Sequence, residues 1–196
     1  MFSIGLDLGQ RRDNTALVVI EKPEVRMPFL RPEDRELRVR MAERLPLGTP
    51  YPEVVEIMRH VESLAALQAQ RCTLTVDATG LGKPVVEMLR RARLRSWITA
   101  VTITNGDRES SRSGDGGESM NVPKRDLIAG VQVALEKGEL RIARRIPEAG
   151  TLVRELLDVR MTAQDGGGLR FGADGYKQHD DLVIGLALSV WRARRL

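Results

Sequence analysis

Four aspartates carry the chemistry this sequence could do. Asp7 closes the run Phe2-Ser3-Ile4-Gly5-Leu6-Asp7, Asp77 closes Cys72-Thr73-Leu74-Thr75-Val76-Asp77, and the pair Asp180-Asp181 stands just before an apolar stretch that starts at Leu182. Apolar and polar residues alternate in the first two runs, the period of a strand, and the third begins a helix. If the two strands are neighbours, Asp7 and Asp77 share a sheet face and the last helix brings Asp180 or Asp181 across it. Hard carboxylate oxygens gathered in this way suit Mg²⁺ or Mn²⁺, which activate water, bridge a phosphodiester and stabilise the leaving oxygen. Without a metal their mutual repulsion raises at least one pKa, and a bound divalent cation favours the ionised forms. Each acid also has a plainer role. Asp7 could cap the turn from Gln10 to Asn14, and the dipole of the last helix could hold Asp180 and Asp181. Asp13, Asp165 and Asp174 lie in turn-like stretches, where backbone capping explains them.

Other polar residues flank these acids. His179 could order water, contact phosphate or assist a metal ligand, and it could equally be a capping or surface residue. His60, on an early helix, serves packing or solvation. Arg11 and Arg12 follow the first acid, Lys83 follows the second, and Lys124 and Arg125 open a helix; these are the candidate contacts to a nucleic-acid backbone. Cations in a helix's first turn are unfavourable unless an anion or nearby acids offset its positive end, so Lys124 and Arg125 suggest a phosphate or carboxylate contact there. Arg90, Arg91, Arg93 and Arg95 form one further cluster and Arg141, Arg144 and Arg145 another, which phosphate contacts and solvated faces explain equally well. The formal charge of +4 permits a nucleic-acid partner without establishing one.

The elements that must position these groups follow in order. In the first strand Phe2, Ile4, Leu6 and Leu8 face a core; Ser3, Gly5, Asp7 and Gly9 form a bare opposite face, open to close approach of backbone and substrate. Thr15 to Ile20 reads as a second strand joined by a hairpin, and Leu37, Val39 and Met41 mark a third, at the sheet edge. Pro52 opens a helix toward Gln70. After Asp77, the turn Ala78-Thr79-Gly80-Leu81-Gly82-Lys83-Pro84 leads into a helix through Leu89, without the spacing of a Walker A loop. Trp97 to Thr104 reads as an outer parallel strand, and residues 105–119 as a flexible insertion. A helix from Pro123 through Lys137 ends at Gly138. Leu140 and Ile142 make a short strand, Pro147 to Met161 a helix, and Leu169 to Phe171 a brief extended segment. The last helix begins near His179 and is apolar around most of its circumference, which implies burial against the sheet.

The bulk numbers fit one domain: 196 residues with 42% hydrophobic content. Aromatic residues make up only 4%, which argues against a stacking platform for single strands or a carbohydrate groove. Cys72 is the only cysteine, so no intrachain disulfide and no cysteine-based zinc cluster can form. With no basic leader and no long apolar run, an intracellular setting is expected.

The motifs Gly5-Leu6-Asp7-Leu8-Gly9 with Thr15 to Val19, Val76-Asp77-Ala78-Thr79-Gly80-Leu81-Gly82, and His179-Asp180-Asp181-Leu182-Val183 with Ala187-Leu188 occur here in that order. Together they resemble the C-terminal nuclease domain of viral and phage large terminases, within the ribonuclease H-like superfamily. The first motif alone also resembles the phosphate-binding opening of actin-like sugar kinases. The terminase resemblance covers nearly the whole chain and implies an α/β fold: a mixed sheet flanked by helices, its first three strands antiparallel. It implies a metal-dependent endonuclease cutting double-stranded DNA during viral genome packaging. Asp7, Asp77 and Asp181 would be the metal-binding catalytic acids, Asp180 a further ligand or orienting group, His179 and Lys124 auxiliary, and Mg²⁺ or Mn²⁺ the cofactor, as two ions. The implied partners are a terminase ATPase domain, the small terminase subunit and the portal, in the host cytoplasm. A Holliday-junction or other structure-specific nuclease, and a non-catalytic nucleic-acid-binding or packaging module, are the alternative functions.

Overall fold

Short apolar runs separated by turns and amphipathic helices assemble into a mixed sheet covered on both faces. The computed structural model describes residues 1–9, 13–23, 36–80, 82–114, 117–163, 169–173 and 180–196. Strands β1 (Phe2–Asp7), β2 (Ala16–Glu21) and β3 (Leu37–Arg44) come first, followed by helices α1 (Tyr51–Ser63) and α2 (Ala65–Gln68). Next are β4 (Cys72–Asp77), α3 (Gly82–Arg91), β5 (Trp97–Thr104), β6 (Ser110–Gly114), β7 (Gly117–Pro123) and α4 (Lys124–Glu136). The chain continues through β8 (Leu140–Ile142), α5 (Ala149–Asp158), β9 (Val159–Ala163) and β10 (Leu169–Ala173) to α6 (Asp181–Ala193). Eight strands form one sheet in the order β6-β7-β5-β4-β1-β2-β3-β8, and β9 and β10 pair as a separate ribbon. The first three strands are antiparallel, as expected, and β4, β5 and β7 run parallel to β1.

The strand alternation divides the core into two layers. Phe2, Ile4, Leu6, Leu74 and Val76 pack with α1, α2 and α3 on one face. On the other, Ala16, Val18, Ile20, Leu37 and Val39 pack with α4, α5 and α6. Of the residues of α6, all but Arg192 are buried, as an all-round apolar helix requires. No helix among the described residues is long and apolar enough to cross a membrane.

Six sequence expectations shift in the structure. The bare face of β1 is covered by α6 rather than left open to substrate. A Cβ on Gly5 would stand 2.0 Å from the Gly185 carbonyl oxygen, so glycine at both positions lets helix and strand backbones touch. Ser3 Oγ donates to Ser189 O at 2.9 Å and Ser189 Oγ to Val18 O at 2.7 Å, which fastens the helix to β1 and β2 one turn beyond that contact. The third strand is not an edge, because β8 pairs beyond it in parallel. Likewise β7 and β6 lie outside β5. The stretch 105–119, read as a flexible insertion, contains β6 and the start of β7, which pair as an antiparallel hairpin. The helix opened by Pro52 ends at Ser63, where Leu64 turns extended, and the one read to Met161 ends at Asp158.

Candidate active site

Register decides where the acids fall. Leu6 pairs with Val76 in the parallel β1–β4 ladder, so Asp7 and Asp77, each one residue further, end neighbouring strands at the same level. Asp7 also faces Ala16 across the β1–β2 ladder, and Ala16 faces Arg44 across β2–β3. Asp77, Asp7, Ala16 and Arg44 therefore form one row on the α6 side of the sheet. The Gly5–Gly185 contact sets the remaining acids against this row. Asp181 lies one helical turn before Gly185, about 6 Å, and Asp7 two strand residues after Gly5, about 7 Å, so both steps lead to the same place. The small side chain of Ala16 leaves room for Asp181 beside Asp7.

A cleft of about 310 Å³ opens there, lined by all four acids, with Thr79 and Lys124 beside them and Leu8, Ile103 and Ile184 as apolar walls. Asp180 Oδ2 accepts from Lys124 Nζ at 2.7 Å, which supplies the anion that the basic start of α4 needs. Asp77 Oδ1 accepts from the backbone N–H of Thr79 at 2.8 Å and from its hydroxyl at 2.5 Å, and Thr79 Oγ1 in turn accepts from the N–H of Ile103 at 2.9 Å. Gly80, at φ +66°, makes the turn that follows Thr79 on the way to α3. Asp181 is buried, its Oδ2 3.5 Å from Arg44 Nε.

Asp7 accepts no hydrogen bond from the other described residues. Burial pushes its carboxyl well above the usual carboxylate range, and the charges of Asp77, Asp181 and Asp180 push it further against the opposing pull of Lys124. Burial also raises Asp77, opposed by the two Thr79 bonds and by Lys124. Glu155 of α5, joined to Arg44 by a short ion pair, is raised by burial and held back by Arg44. Among these groups five carboxylates face two cations, Lys124 and Arg44.

As the side chains stand, no group of three or more His, Cys, Asp or Glu residues among those described is arranged to hold a metal ion. Ion pairs to Lys124 and Arg44 account for two of the carboxylates. The donor set still fits a hard divalent cation: it is all oxygen, Asp7 accepts no hydrogen bond from the described residues, and the excess negative charge requires cations or protons.

Of the other candidates, Lys83 is exposed at the start of α3. Arg125 is tied to the Asp107 side chain and carbonyl, both at 2.7 Å, and turns toward the β5–β6 connection. His179, Arg11 and Arg12 lie outside the described residues, as do Asp165 and Asp174. The structure adds residues that sequence reasoning missed. Asp13 lines the cleft although its turn-like setting suggested capping alone. Arg44 and Glu155 lie behind Asp181, and only the fold reveals them.

A mixed sheet of this strand order, with acids ending its first and fourth strands and opening its last helix, is a ribonuclease H-like α/β fold. Solved structures that share it include nuclease domains of phage large terminases. One is the large terminase nuclease of thermophilic phage G20c with bound magnesium, at 20% identity and TM-score 0.69, covering 98% of this chain and 81% of that one. Another is the large terminase nuclease domain of Thermus phage P74-26, at 19% identity and TM-score 0.64, covering 96% and 77%. A third, from bacteriophage SPP1 with bound manganese, aligns at 10% identity and TM-score 0.57 over 97% and 85%. The resemblance read from the motifs is thus matched in the fold. No family model and no curated protein matches the sequence.

Proposed function

We propose that this chain is a metal-dependent endonuclease that hydrolyses the phosphodiesters of double-stranded DNA during viral genome packaging. The observation that carries the reading is the meeting of Asp7, Asp77, Asp180 and Asp181, from three distant segments, in one cleft with a large excess of negative charge. The likeness to nuclease domains solved with magnesium or manganese supports it. Asp7, Asp77 and Asp181 would hold the metal, as two ions, with Asp180 as a further ligand. A divalent cation held there would supply charge to offset the phosphate and would lower the pKa of an attacking water.

The chain's own residues supply the rest. The strand ends and the start of α6 bring the carboxylates to one cleft before substrate arrives, and holding a metal there would require the Asp180 and Asp181 side chains to turn from Lys124 and Arg44. Thr79 holds Asp77 through Oδ1. Lys124 neutralises Asp180 in the free protein, and its ammonium would meet a phosphate oxygen when substrate binds. Leu8, Ile103 and Ile184 limit water at the cleft wall. Lys83, on the surface, would contact the backbone further along the duplex without reading bases, with Arg11, Arg12 and Arg125 as the remaining candidates. An ATPase motor, a small terminase subunit and a portal would be its partners in the host cytoplasm.

The test is conversion of supercoiled plasmid to nicked and linear forms with Mg²⁺ or Mn²⁺, repeated with chelator and with Asp7→Asn. Cutting should need metal and disappear in the folded variant. A folded wild type that leaves DNA intact across a broad range of both metals would refute the assignment.

A further inference from the structure

The start of α6 is capped in an unusual way. Aspartate is a favoured N-cap because its side-chain oxygen accepts a hydrogen bond from the second or third backbone N–H of the helix. Asp180 occupies that position and makes no such bond. Its carboxylate reaches Lys124 instead, and one carboxylate turned to that ammonium is not available to the helix amides. The Leu182 amide is satisfied from outside the helix. Glu155 Oε2 accepts from Leu182 N at 3.2 Å, and the Val183 amide bears on the same carboxylate. Leu182 and Val183 are the second and third residues of α6, the positions that an N-cap serves. A glutamate there is also favoured by the positive end of the helix. The other oxygen of Glu155, Oε1, is held by Arg44 Nη2, and the same guanidinium lies beside Asp181.

Arg44 reaches this face through an irregularity in β3. Val19 pairs with Met41 and Ile20 with Val39, so Arg40 is an extra residue and the alternation changes phase there. Leu37 and Val39 before it, and Ala42 after it, all belong to the α6-side core. Without the bulge, Arg44 would point to the opposite layer.

We propose that Glu155, gripped by Arg44, is a positioning residue that caps α6 from α5 and thereby leaves both Asp180 and Asp181 turned to the cleft. The consequence for metal binding rests on the nuclease reading; the cap itself does not. The test uses the full chain with Glu155→Ala and Glu155→Gln. Two quantities are measured: amide hydrogen exchange at Leu182 and Val183, and Mn²⁺ affinity by calorimetry, with circular dichroism to establish folding. Loss of the cap should speed exchange at the two amides about fivefold to tenfold in the alanine variant. Mn²⁺ affinity should fall about 10- to 100-fold, as for other groups that orient metal ligands. Glutamine keeps an acceptor and should recover most of both. If the alanine variant fails to fold, Glu155→Asp, whose shorter arm withdraws the carboxylate from the amides, takes its place. Unchanged exchange in a folded variant overturns the cap, and faster exchange with wild-type Mn²⁺ affinity overturns the positioning role. A wild type that binds no Mn²⁺ while exchange responds as described overturns the nuclease reading and upholds the cap.

Discussion

Adding one methyl group at Gly5 tests whether backbone contact between β1 and α6 sets the acidic site. In Gly5→Ala the new Cβ would lie 2.0 Å from Gly185 O, 2.7 Å from Ser189 Oγ and 2.8 Å from Ser189 N, where ordinary contact begins at 3.4 Å. Two of these obstacles are backbone, so the helix must move. Bringing 2.0 Å to 3.4 Å lifts α6 by about 1.4 Å at Gly185. Overpacking of this kind costs about 1–3 kcal/mol, with the upper end expected because backbone cannot rotate away. The lift also stretches the buried bonds Ser3 Oγ–Ser189 O and Ser189 Oγ–Val18 O, each worth about 1 kcal/mol. The expected loss is therefore about 3–5 kcal/mol by urea unfolding. Asp181, one turn away, is carried off the row by about 1 Å, which should slow DNA cleavage about 100-fold in whatever fraction stays folded. Gly130→Ala is the control, since a Cβ there meets nothing within 4 Å. Mid-helix in α4, it should stabilise the protein by up to about 1 kcal/mol. If Gly5→Ala matches wild type within about 0.5 kcal/mol and cuts normally, the contact does not position the site.

Other perturbations act through charge. Asp7 holds its proton to a higher pH folded than unfolded, so metal-free wild type should lose stability as pH rises from near 3.8 through the raised pKa. Asp7→Asn avoids this loss: its melting temperature should exceed wild type at neutral pH and converge with it in acid, and a variant less stable at neutral pH contradicts the repulsion. Saturating Mn²⁺ relieves the same repulsion, so the rise in melting temperature it produces should grow with pH over that window. A constant increment would show that the metal binds away from Asp7. Lys124→Met removes a cation that competes with metal for Asp180, so Mn²⁺ should bind more tightly while DNA cleavage slows. Calorimetry and plasmid cutting read the two effects separately, and weaker Mn²⁺ binding would sink the explanation.

The acids were legible because an Asp that ends an apolar alternation conflicts with its surroundings, and a sequence displays such conflicts. Asp7 and Asp77 show it at strand ends, and Asp180 and Asp181 at the head of an apolar helix. The elements around them were legible for the same reason of period. What the sequence did not show depended on layers and phase. Ser3 and Gly5 look like an open surface until α6 is placed on them. Arg44 belongs to a strand whose alternation changes phase at Arg40, and no local signal marks that bulge. Glu155 reads as an ordinary charge on the polar face of α5, because its partners Arg44 and Leu182 are 111 and 27 residues away. The edges were misplaced for a related reason: β8 has only three residues, and β6 is made of Ser, Arg and Gly, so neither advertises a strand outside β3 or β5.

Anomalous scattering from a crystal of the full chain soaked in Mn²⁺ addresses the central claim most directly, because it locates the cation without relying on turnover. The account predicts density in the cleft, in contact with carboxylates of Asp7, Asp77 and Asp181. An empty cleft at saturating Mn²⁺, or density only at other acids, would contradict it.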